Sequence, residues 1–374
     1  MNQRRVTMGE VASRAGVHVT TVSLALRNHP RLPESTRLRI RTLSESMGYR
    51  PDPVLRALIA YRSRSHSRRN PPTLAYITNW ATRFGWKRVT AHPDFFEGAS
   101  RMAAQLGYRL EHFWAREPGV SHERLSEVLT ARGITGLILA SHGREMGDAL
   151  GLVWDRFNAV KIDYFPHQPV LHNVTNNQCD AVRVAMQRVA SMGYKRAGLV
   201  MHRGWDRAVD HMWTAGLLCE QQQVPPADRV SPHIFPAPEP VARWLNESDD
   251  PVEPDLRPFA RWLRTERPEV LISKASFVLP LLRRIGLRVP RDLAFVDTFL
   301  DRPDGTVAGV RQNHAQVGAA AVEILEGQLQ RNELGIPEVA TTTFVDGTWF
   351  DGASCPALRG PERSAAAPAV KRRV

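Results

Sequence analysis

Apolar positions in the first fifty residues follow helical spacing and fall into three short blocks. Between residues 8 and 15, four apolar side chains recur on one face of a helix. Thr7 followed three residues later by Glu10 is typical of a capping box, in which each side chain satisfies an amide at the helix start. Gly16 would end this helix, because glycine tolerates the left-handed conformation of a sharp helix end.

A second helix is predicted from about residue 19, and a third over residues 34–47. On the second helix, the predicted buried residues are Val22, Ala25 and Leu26, and the predicted exposed residues are Val19, Thr20, Ser23 and Arg27. On the third helix, the apolar positions are Leu38, Ile40, Leu43 and Met47. Two short helices joined by a glycine-containing turn form a helix-turn-helix, whose second helix can enter the major groove of DNA.

The pattern then loses its periodicity for about twenty residues. Pro51 and Pro53 open a segment, residues 54–62, that could form a short helix because proline is tolerated in a first turn. Residues 63–72 are polar and basic and end in two prolines. This composition predicts a linker.

From residue 74 onward, predicted strands alternate with predicted helices. The predicted strands are 74–78, 109–114, 136–140, 159–163, 196–201, 229–235, 270–273, 293–297 and 340–345. The predicted helices are 95–106, 122–132, 146–157, 176–192, 208–222, 259–267, 277–285 and 316–331, with a short one around Arg243. This alternation, in two successive series, indicates a parallel α/β fold.

Length and composition limit the classes of protein to which this chain can belong. A chain of 374 residues suggests two or three domains, and 43% hydrophobic with 24% charged residues is typical of a globular protein with an ample core. No stretch approaches the roughly 18 apolar residues of a membrane span, and an amphipathic helix follows the basic start where a signal peptide would have an apolar core. Three distant cysteines, Cys179, Cys219 and Cys355, indicate neither a disulfide framework nor a thiolate metal site. We therefore expect a cytoplasmic protein.

The net charge of +12 is unevenly distributed. Residues 1–70 contain 14 Arg, no Lys and four acidic residues, a net charge of +10. A basic head on a near-neutral body is the electrostatic footprint of a nucleic-acid binder. A polybasic membrane patch is the alternative, but arginines spread over folded helices fit phosphate contacts better.

These residues resemble the LacI/GalR family of bacterial transcription repressors. The matching positions of the head are Val6-Thr7, Glu10-Val11-Ala12, Ala15-Gly16-Val17, Thr21-Val22-Ser23, Glu34-Ser35-Thr36-Arg37, Gly48-Tyr49-Arg50-Pro51-Asp52 and Arg56-Ala57-Leu58. The two strand–helix series resemble the type I periplasmic-binding-protein fold that forms the family's sugar-binding body. Matches there include Phe95-Phe96 with Gly98, Lys161-Ile162-Asp163, Met192-Gly193-Tyr194-Lys195-Arg196, Val289-Pro290-Arg291-Asp292 and Val310-Arg311-Gln312 with Val317-Gly318.

The resemblance implies four segments. They are a helix-turn-helix DNA-binding domain (1–50), a hinge helix and linker (51–72), a two-lobed effector-binding and dimerisation domain with parallel sheets (73–355), and a disordered basic tail (356–374). The tail resembles nothing in the family. The implied partners are a near-palindromic double-stranded DNA operator, a small-molecule effector such as a sugar, and a second copy of the chain in a homodimer associated with the nucleoid.

The resemblance also implies which head residues contact DNA. They are Thr7, Val19, Thr20, Thr21, Ser23, Leu24, Arg27, Arg31, Arg50, Arg56 and Leu58. The arginines would bind phosphates, and Leu58 would wedge into the minor groove at the central step. Leu24 stands where the family usually has an Arg that contacts guanine, so the usual half-site sequence does not carry over. His18 replaces the usual Ser before the second helix and is expected to cap it in part.

The effector cleft is expected between the two lobes, at the carboxyl ends of the strands. Phe96 would stack on the ligand, Arg207 would bind ligand oxygens, and Asp301 would substitute for the Asp of a family motif that is missing here. Trp205 and Trp213 are either cleft platforms or core residues.

Three alternatives remain open at this stage. The cleft could be degenerate, with control by a partner protein or by no ligand. A solute-binding protein for transport is disfavoured by the basic helix-turn-helix and the lack of a signal peptide. An enzyme is disfavoured because P-loop, zinc-protease, nucleophile-elbow and dinucleotide-binding motifs are absent, and neither a cofactor nor a metal site is predicted.

Overall fold

A computed structural model describes residues 6–26, 32–47, 49, 71–142, 149–236 and 254–358. The chain forms two compact units, a head up to Pro71 and a body from Pro72 onward. The predicted short helix around Arg243 and the segment 54–62 lie outside the described residues.

The head contains three helices, and their ends follow from local sequence. They are α1 (Met8–Ala15), α2 (Val19–Leu26) and α3 (Glu34–Ser46). The predicted capping box is present: the Thr7 amide donates to the Glu10 carboxylate over 2.7 Å, and the Glu10 amide donates to Thr7 Oγ1 over 3.3 Å. Gly16 ends α1 with a φ of 66°.

The head core differs from the prediction at one position. Val11, Val22 and Ile40 are fully buried in it, but Leu38 is 65% exposed, so its prediction as a core residue is wrong. Leu38 precedes Ile40 by two residues, which places it about 200° around the helix from the buried face. Ser44, one turn after Ile40, is buried there instead and donates to the Ile40 carbonyl over 2.8 Å.

The body contains twelve described strands and eight described helices. The strands are β1 (Thr73–Thr78), β2 (Arg109–Trp114), β3 (Gly136–Leu139), β4 (Asn158–Ile162), β5 (His172–Asn176), β6 (Ala197–His202), β7 (His233–Phe235), β8 (Val270–Ser273), β9 (Ala294–Asp297), β10 (Ala308–Arg311), β11 (Thr342–Val345) and β12 (Thr348–Phe350). The helices are α4 (Ala91–Gln105), α5 (His122–Ala131), α6 (Gln178–Ser191), α7 (Arg203–Ala208), α8 (Met212–Gln221), α9 (Leu256–Glu266), α10 (Ala275–Arg284) and α11 (His314–Arg331).

The strands form two six-stranded sheets, one in each lobe. The first lobe has the order β11-β5-β4-β3-β1-β2, and the second has β12-β10-β9-β8-β6-β7. Neighbouring strands are parallel except β10 and β12. Helices α4, α5 and α11 pack on the first sheet, and α6, α8, α9 and α10 pack on the second. The chain therefore crosses between lobes three times, after β5, after β10 and after β11, which confirms the predicted two-lobed α/β fold.

Several predicted elements are corrected by the structure. The helix predicted over 146–157 is wrong for residues 149–157, which form a loop and a single 3-10 turn at Trp154–Arg156. The helix predicted over 208–222 begins only at Met212, as α8, because Asp210 and His211 both have positive φ; Ala208 instead ends the short helix α7. Strands β5, β10 and β12 were not predicted.

The chain is also ordered past the predicted start of the tail at residue 356. The Tyr194 hydroxyl donates to the Pro356 carbonyl over 2.6 Å, and the Leu358 amide donates to the Met192 carbonyl over 2.9 Å. These contacts fix residues 356–358 on the second lobe. The rest of the predicted tail lies outside the described residues.

Among the described residues, no helix combines the length and the apolar character needed to cross a membrane.

Candidate functional site

The second helix of the head presents a polar face. The His18 carbonyl accepts from the amides of Thr21 and Val22 over 2.8 and 3.3 Å, and its Nδ1 lies 2.8 Å from Thr20 Oγ1. His18 thus caps α2 as expected. Val22 and Ala25 face the core, so the opposite face of α2 carries exposed Val19 and Thr20 and half-buried Ser23.

The remaining predicted DNA contacts divide into two groups. Thr7 is exposed at the start of α1, and Thr21 and Leu24 are half-buried on α2. The others, Arg27, Arg31, Arg50, Arg56 and Leu58, lie outside the described residues. The described part of the predicted DNA-binding surface is therefore the start of α1 and the polar face of α2.

In the body, polar and aromatic side chains follow the carboxyl ends of both sheets, where parallel α/β folds bind ligands. In the first lobe, β1 is followed by Asn79 and Trp80, β3 by Ser141 and His142, and β4 by Asp163 and Tyr164. In the second lobe, β6 is followed by Trp205, β8 by Lys274 and β9 by Phe299. The His314 ring joins the two sets, because its centroid lies 5.3 Å from those of both Phe95 and Phe299.

Lys274 holds an unusual position at the end of β8. Its Nζ lies 5.2 Å from the ring centroid of Trp205 and 5.0 Å from that of Phe299. Burial lowers the pKa of this half-buried ammonium, whereas Asp297 and Asp301 act in the opposite direction. Within the described part of the chain it forms no hydrogen bond or ion pair. A desolvated ammonium held on two aromatic rings is a donor available to a ligand oxygen.

Lys161 also lies at the end of a strand, β4 of the first lobe, but its ammonium has hydrogen-bond partners, unlike that of Lys274 among the described residues. Its Nζ donates to the carbonyls of Tyr164 and Pro166 over 3.0 and 2.9 Å, and its pKa is also lowered by burial. This lysine has structural partners for its buried charge, so its role is to hold residues 164–166 in place.

Substituting the two lysines by methionine should have opposite effects on the free energy of unfolding. Lys274→Met removes an unpaired, desolvated charge and keeps the apolar stem, so we expect stabilisation by about 1 kcal/mol. Lys161→Met removes two charge-assisted hydrogen bonds and leaves two carbonyls unpaired, so we expect a loss of about 3 kcal/mol. Urea unfolding at pH 7 measures both, and a comparable loss in the two variants would contradict the assignment of Lys274 as a free donor.

Three carboxylates lie near these strand ends. Asp297 is 5% exposed, accepts the Phe299 amide over 2.8 Å, and has its pKa raised by burial to about 6. Asp163 has a φ of 71° and accepts from Thr175 Oγ1 over 3.1 Å, and burial raises its pKa. Asp297 and Asp163 are therefore fixed by the fold, whereas Asp301 is exposed.

Three histidines are buried close to these strand ends. His92, His142 and His314 are all buried. Burial is the first cause that lowers the pKa of His92 and of His314 to about 3. These two rings are therefore neutral hydrogen-bonding groups at physiological pH. Over the described ranges, no three His, Cys, Asp or Glu side chains are grouped to hold a metal ion.

Phe96 lies in an aromatic cluster of the first lobe. Its ring centroid is 5.0 Å from that of Tyr76 and 5.4 Å from that of Trp86. The Tyr76 hydroxyl and the Trp86 indole N–H are buried, and neither has a hydrogen-bond partner among the described residues. Phe96 therefore packs against two buried donors that the described residues leave without a hydrogen-bond partner.

For the other predicted site residues, the structure gives the exposure of the side chain but no contact that indicates a binding role. Arg207 is exposed on α7. Trp205 is half-buried and packs against the core of the second lobe, and Trp213 is 4% exposed and belongs to that core. Lys274 was missed by sequence reasoning, although its position directly after a predicted strand was the signal that could have found it.

Comparisons with known proteins agree with this description. Residues 7–52 match the family described as bacterial regulatory proteins, lacI family. The structure is similar to a complex of the transcriptional regulator CelR with cellobiose, with a TM-score of 0.52 and 17% identity over 94% of this chain and 100% of that one. It is similar to the Lac repressor dimer bound to operator and the anti-inducer ONPF, with a TM-score of 0.52 and 16% identity over 95% and 100%.

A third similar structure is a putative LacI transcriptional regulator from Bacillus cereus subsp. cytotoxis, with a TM-score of 0.53 and 17% identity over 78% of this chain and 100% of that one. No curated protein sequence matches the chain. The predicted resemblance is thus confirmed: the head matches the lacI family, and the body shares the fold of its regulators.

Proposed function

We propose that this chain, whose head matches the lacI family, is a homodimeric repressor that binds a near-palindromic DNA operator and responds to a small-molecule effector. The observation that carries the proposal is the capped helix pair of the head, which presents the polar face of α2 within a segment of net charge +10. Such a helix can read base edges while surrounding arginines bind phosphates.

The proposed DNA contacts extend beyond the described residues. Val19, Thr20 and Ser23 would read the major groove, and Arg27, Arg31, Arg50 and Arg56 would bind phosphates. Leu58 would enter the minor groove at the central step, where an apolar wedge exchanges unstacking energy for bent DNA that contacts more protein. Two copies related by a two-fold axis would read paired half-sites.

The proposed effector is a carbohydrate bound between the lobes. Sugars combine apolar ring faces with many hydroxyls, which suits the Trp205 and Phe299 rings around the Lys274 ammonium. Exposed Asp301 would accept hydroxyls, and Phe96 with Arg207 would complete the site. Support also comes from similar structures, one of which contains cellobiose.

Selection from random-sequence DNA with the purified full chain tests the DNA-binding proposal. We expect enrichment of a near-palindrome at 150 mM salt, with affinity that falls steeply as salt rises, because binding of phosphates releases counterions. The fragment 72–374 should enrich no sequence. Specific binding by that fragment, or failure of the full chain to enrich any sequence, would contradict the proposal.

The same DNA complex tests the effector. Titration with neutral mono- and disaccharides, cellobiose and glucose among them, should release or tighten the selected DNA with at least one sugar. A matched Lys274→Ala variant should lose that response and keep the DNA affinity. If no sugar changes the affinity, the carbohydrate assignment is wrong and the DNA-binding assignment stands.

A further inference from the structure

Helices α6 and α8 of the second lobe are in direct backbone contact. At Gly216 on α8, an added Cβ would lie 2.5 Å from the Cys179 carbonyl oxygen and 3.0 Å from Val182 Cβ, both on α6. Glycine permits this approach because it has no Cβ. Cys179 therefore lies where the two helices touch.

Two hydrogen bonds show how the helices are aligned. The Trp213 indole N–H donates to Gln178 Oε1 over 2.7 Å, near the start of both helices. Arg183 Nε donates to Glu220 Oε1 over 2.8 Å, further along both. The contacts advance together along the two segments, so α6 and α8 run side by side in the same direction.

Cys219 lies on α8 beside this contact. It follows Gly216 by three residues, which places it about 60° around the helix and about 4.5 Å further along it. It also directly precedes Glu220, whose carboxylate binds Arg183. Cα atoms joined by a disulfide are usually about 4.4–6.8 Å apart. A thiol one turn past the backbone contact is therefore at a separation from Cys179 that a disulfide can span.

Electrostatic interactions also place the two thiols together. Burial is the first cause that raises the pKa of Cys179; Arg183 acts in the opposite direction, and Cys219 raises this pKa further. The pKa of Arg183 is raised first by its hydrogen bond to Glu220 and also by Cys219. Such interactions weaken with distance. The two thiols and the guanidinium therefore form one local group.

The three thiols of the chain differ in their access to solvent. Cys219 is exposed and Cys179 is half-buried. Cys355 is only 2% exposed, and its Sγ lies 4.0 Å from Met192 Sδ. A small oxidant in solution can thus reach Cys219 directly, and the sulfur of Cys179 is beside it.

We infer that Cys219 and Cys179 form an oxidation site, at which hydrogen peroxide produces a reversible disulfide between α8 and α6. The Cys219 thiol loses its proton, and its sulfur attacks one oxygen of the peroxide. The O–O bond breaks, the leaving hydroxide takes up that proton as water, and Cys219 becomes a sulfenic acid. The inference is independent of binding to DNA or to an effector.

The neighbouring thiol completes the reaction. The Cys179 sulfur attacks the Cys219 sulfur, and the S–S bond forms as the S–O bond breaks. The hydroxyl group leaves with the proton of Cys179 as a second water. Two thiols thus lose two electrons to one peroxide, which is reduced to two waters.

The test is oxidation of the full chain with a small excess of hydrogen peroxide, followed by denaturation and alkylation with N-ethylmaleimide. Mass spectrometry should find three labels on the untreated chain and, after oxidation, one label on Cys355. Peptide mapping should recover Cys179 linked to Cys219, and a non-reducing gel should show the linked chain at the size of one chain. Dithiothreitol should restore all three thiols, because it reduces a disulfide and does not reduce a sulfinic acid.

Single substitutions separate the roles of the two cysteines. In Cys179→Ser, the sulfenic acid at Cys219 has no thiol beside it and should be trapped by dimedone. In Cys219→Ser, no disulfide should form within the chain. Cys355→Ala should leave the linkage unchanged.

Moving the thiol by one residue provides the matched control. Leu218 is 49% exposed, but it is two residues from both Gly216 and Glu220 and so lies about 200° around the helix from each. Leu218→Cys in the Cys219→Ser background should form a disulfide with Cys179 about tenfold more slowly or not at all, because this thiol points away from α6. An equal rate in this variant, a disulfide that includes Cys355, a link between two chains, or no link in the parent chain would overturn the inference.

Discussion

Replacing Gly318 by alanine should lower the free energy of unfolding of the body by about 3 kcal/mol, because there is no room for a single added carbon. A Cβ at Gly318 would lie 1.9 Å from the Phe95 carbonyl oxygen, and a Cβ at Gly98 would lie 1.8 Å from the Ala315 carbonyl oxygen. These two glycines let the backbones of α4 and α11 touch. The obstructing atoms are backbone on both sides, so the helices must separate and the core between them must loosen.

The same substitution at Gly327 is the matched control. Gly327 is on the same helix, but an added Cβ there would meet only Arg331 Nη1 at 3.0 Å, the end of a flexible side chain. We expect Gly327→Ala to stabilise the body by about 0.5–1 kcal/mol, since alanine favours helix over glycine. Urea unfolding of both variants gives the comparison. Equal effects would mean that α4 and α11 are not in backbone contact at Gly318.

The elements that the sequence predicts well are those whose signals are local. The α1 helix is such a case, because Thr7, Glu10 and Gly16 act within a few residues of each other and all three behave as predicted. Strand β5 shows the opposite case. Its sequence, His172–Asn176, is mostly polar, yet Asn173, Thr175 and Asn176 are buried by neighbouring elements. No apolar run marks such a strand.

The helix wrongly predicted for residues 149–157 has a related cause. Leu150 and Leu152 are buried from an irregular loop, at 3% and 5% exposure. Their apolar character reflects tertiary burial, and in the sequence it resembles helical periodicity. Spacing alone does not distinguish a helix face from a loop that packs under its neighbours.

In the candidate site, too, a residue within a local motif could be predicted, whereas residues brought together only by the fold could not. Phe96 was predicted from a short motif, and it lies beside unpartnered donors at Tyr76 and Trp86. Lys274 directly follows a predicted strand, but sequence reasoning passed over it because a lysine is solvated by default. Its partners Trp205 and Phe299 follow other strands, so only the sheet order brings the three together. The hydrogen-bonded pair of Gln178 and Gln312 likewise joins residues 134 positions apart.

The largest effect on DNA binding is expected from a negative charge on the exposed face of α2. Thr20→Asp would place a carboxylate against the phosphates or base edges of each half-site, at a cost of about 2 kcal/mol per half-site. In a dimer, this should weaken specific binding by at least 100-fold. The change should not unfold the head, because an acidic residue in the first turn of a helix is favourable.

Thr42→Asp provides the matched control for this prediction. Thr42 is also an exposed threonine in the same head, but it is in the second half of α3, where a carboxylate is slightly unfavourable to the helix. The two variants carry the same net charge, so a general electrostatic effect on DNA affinity would be shared by both. If α2 reads DNA, Thr20→Asp loses specific binding and Thr42→Asp stays within about threefold of the parent at the same salt concentration. Equal losses, measured with the selected operator, would mean that only the overall charge of the head matters and that α2 does not enter the groove.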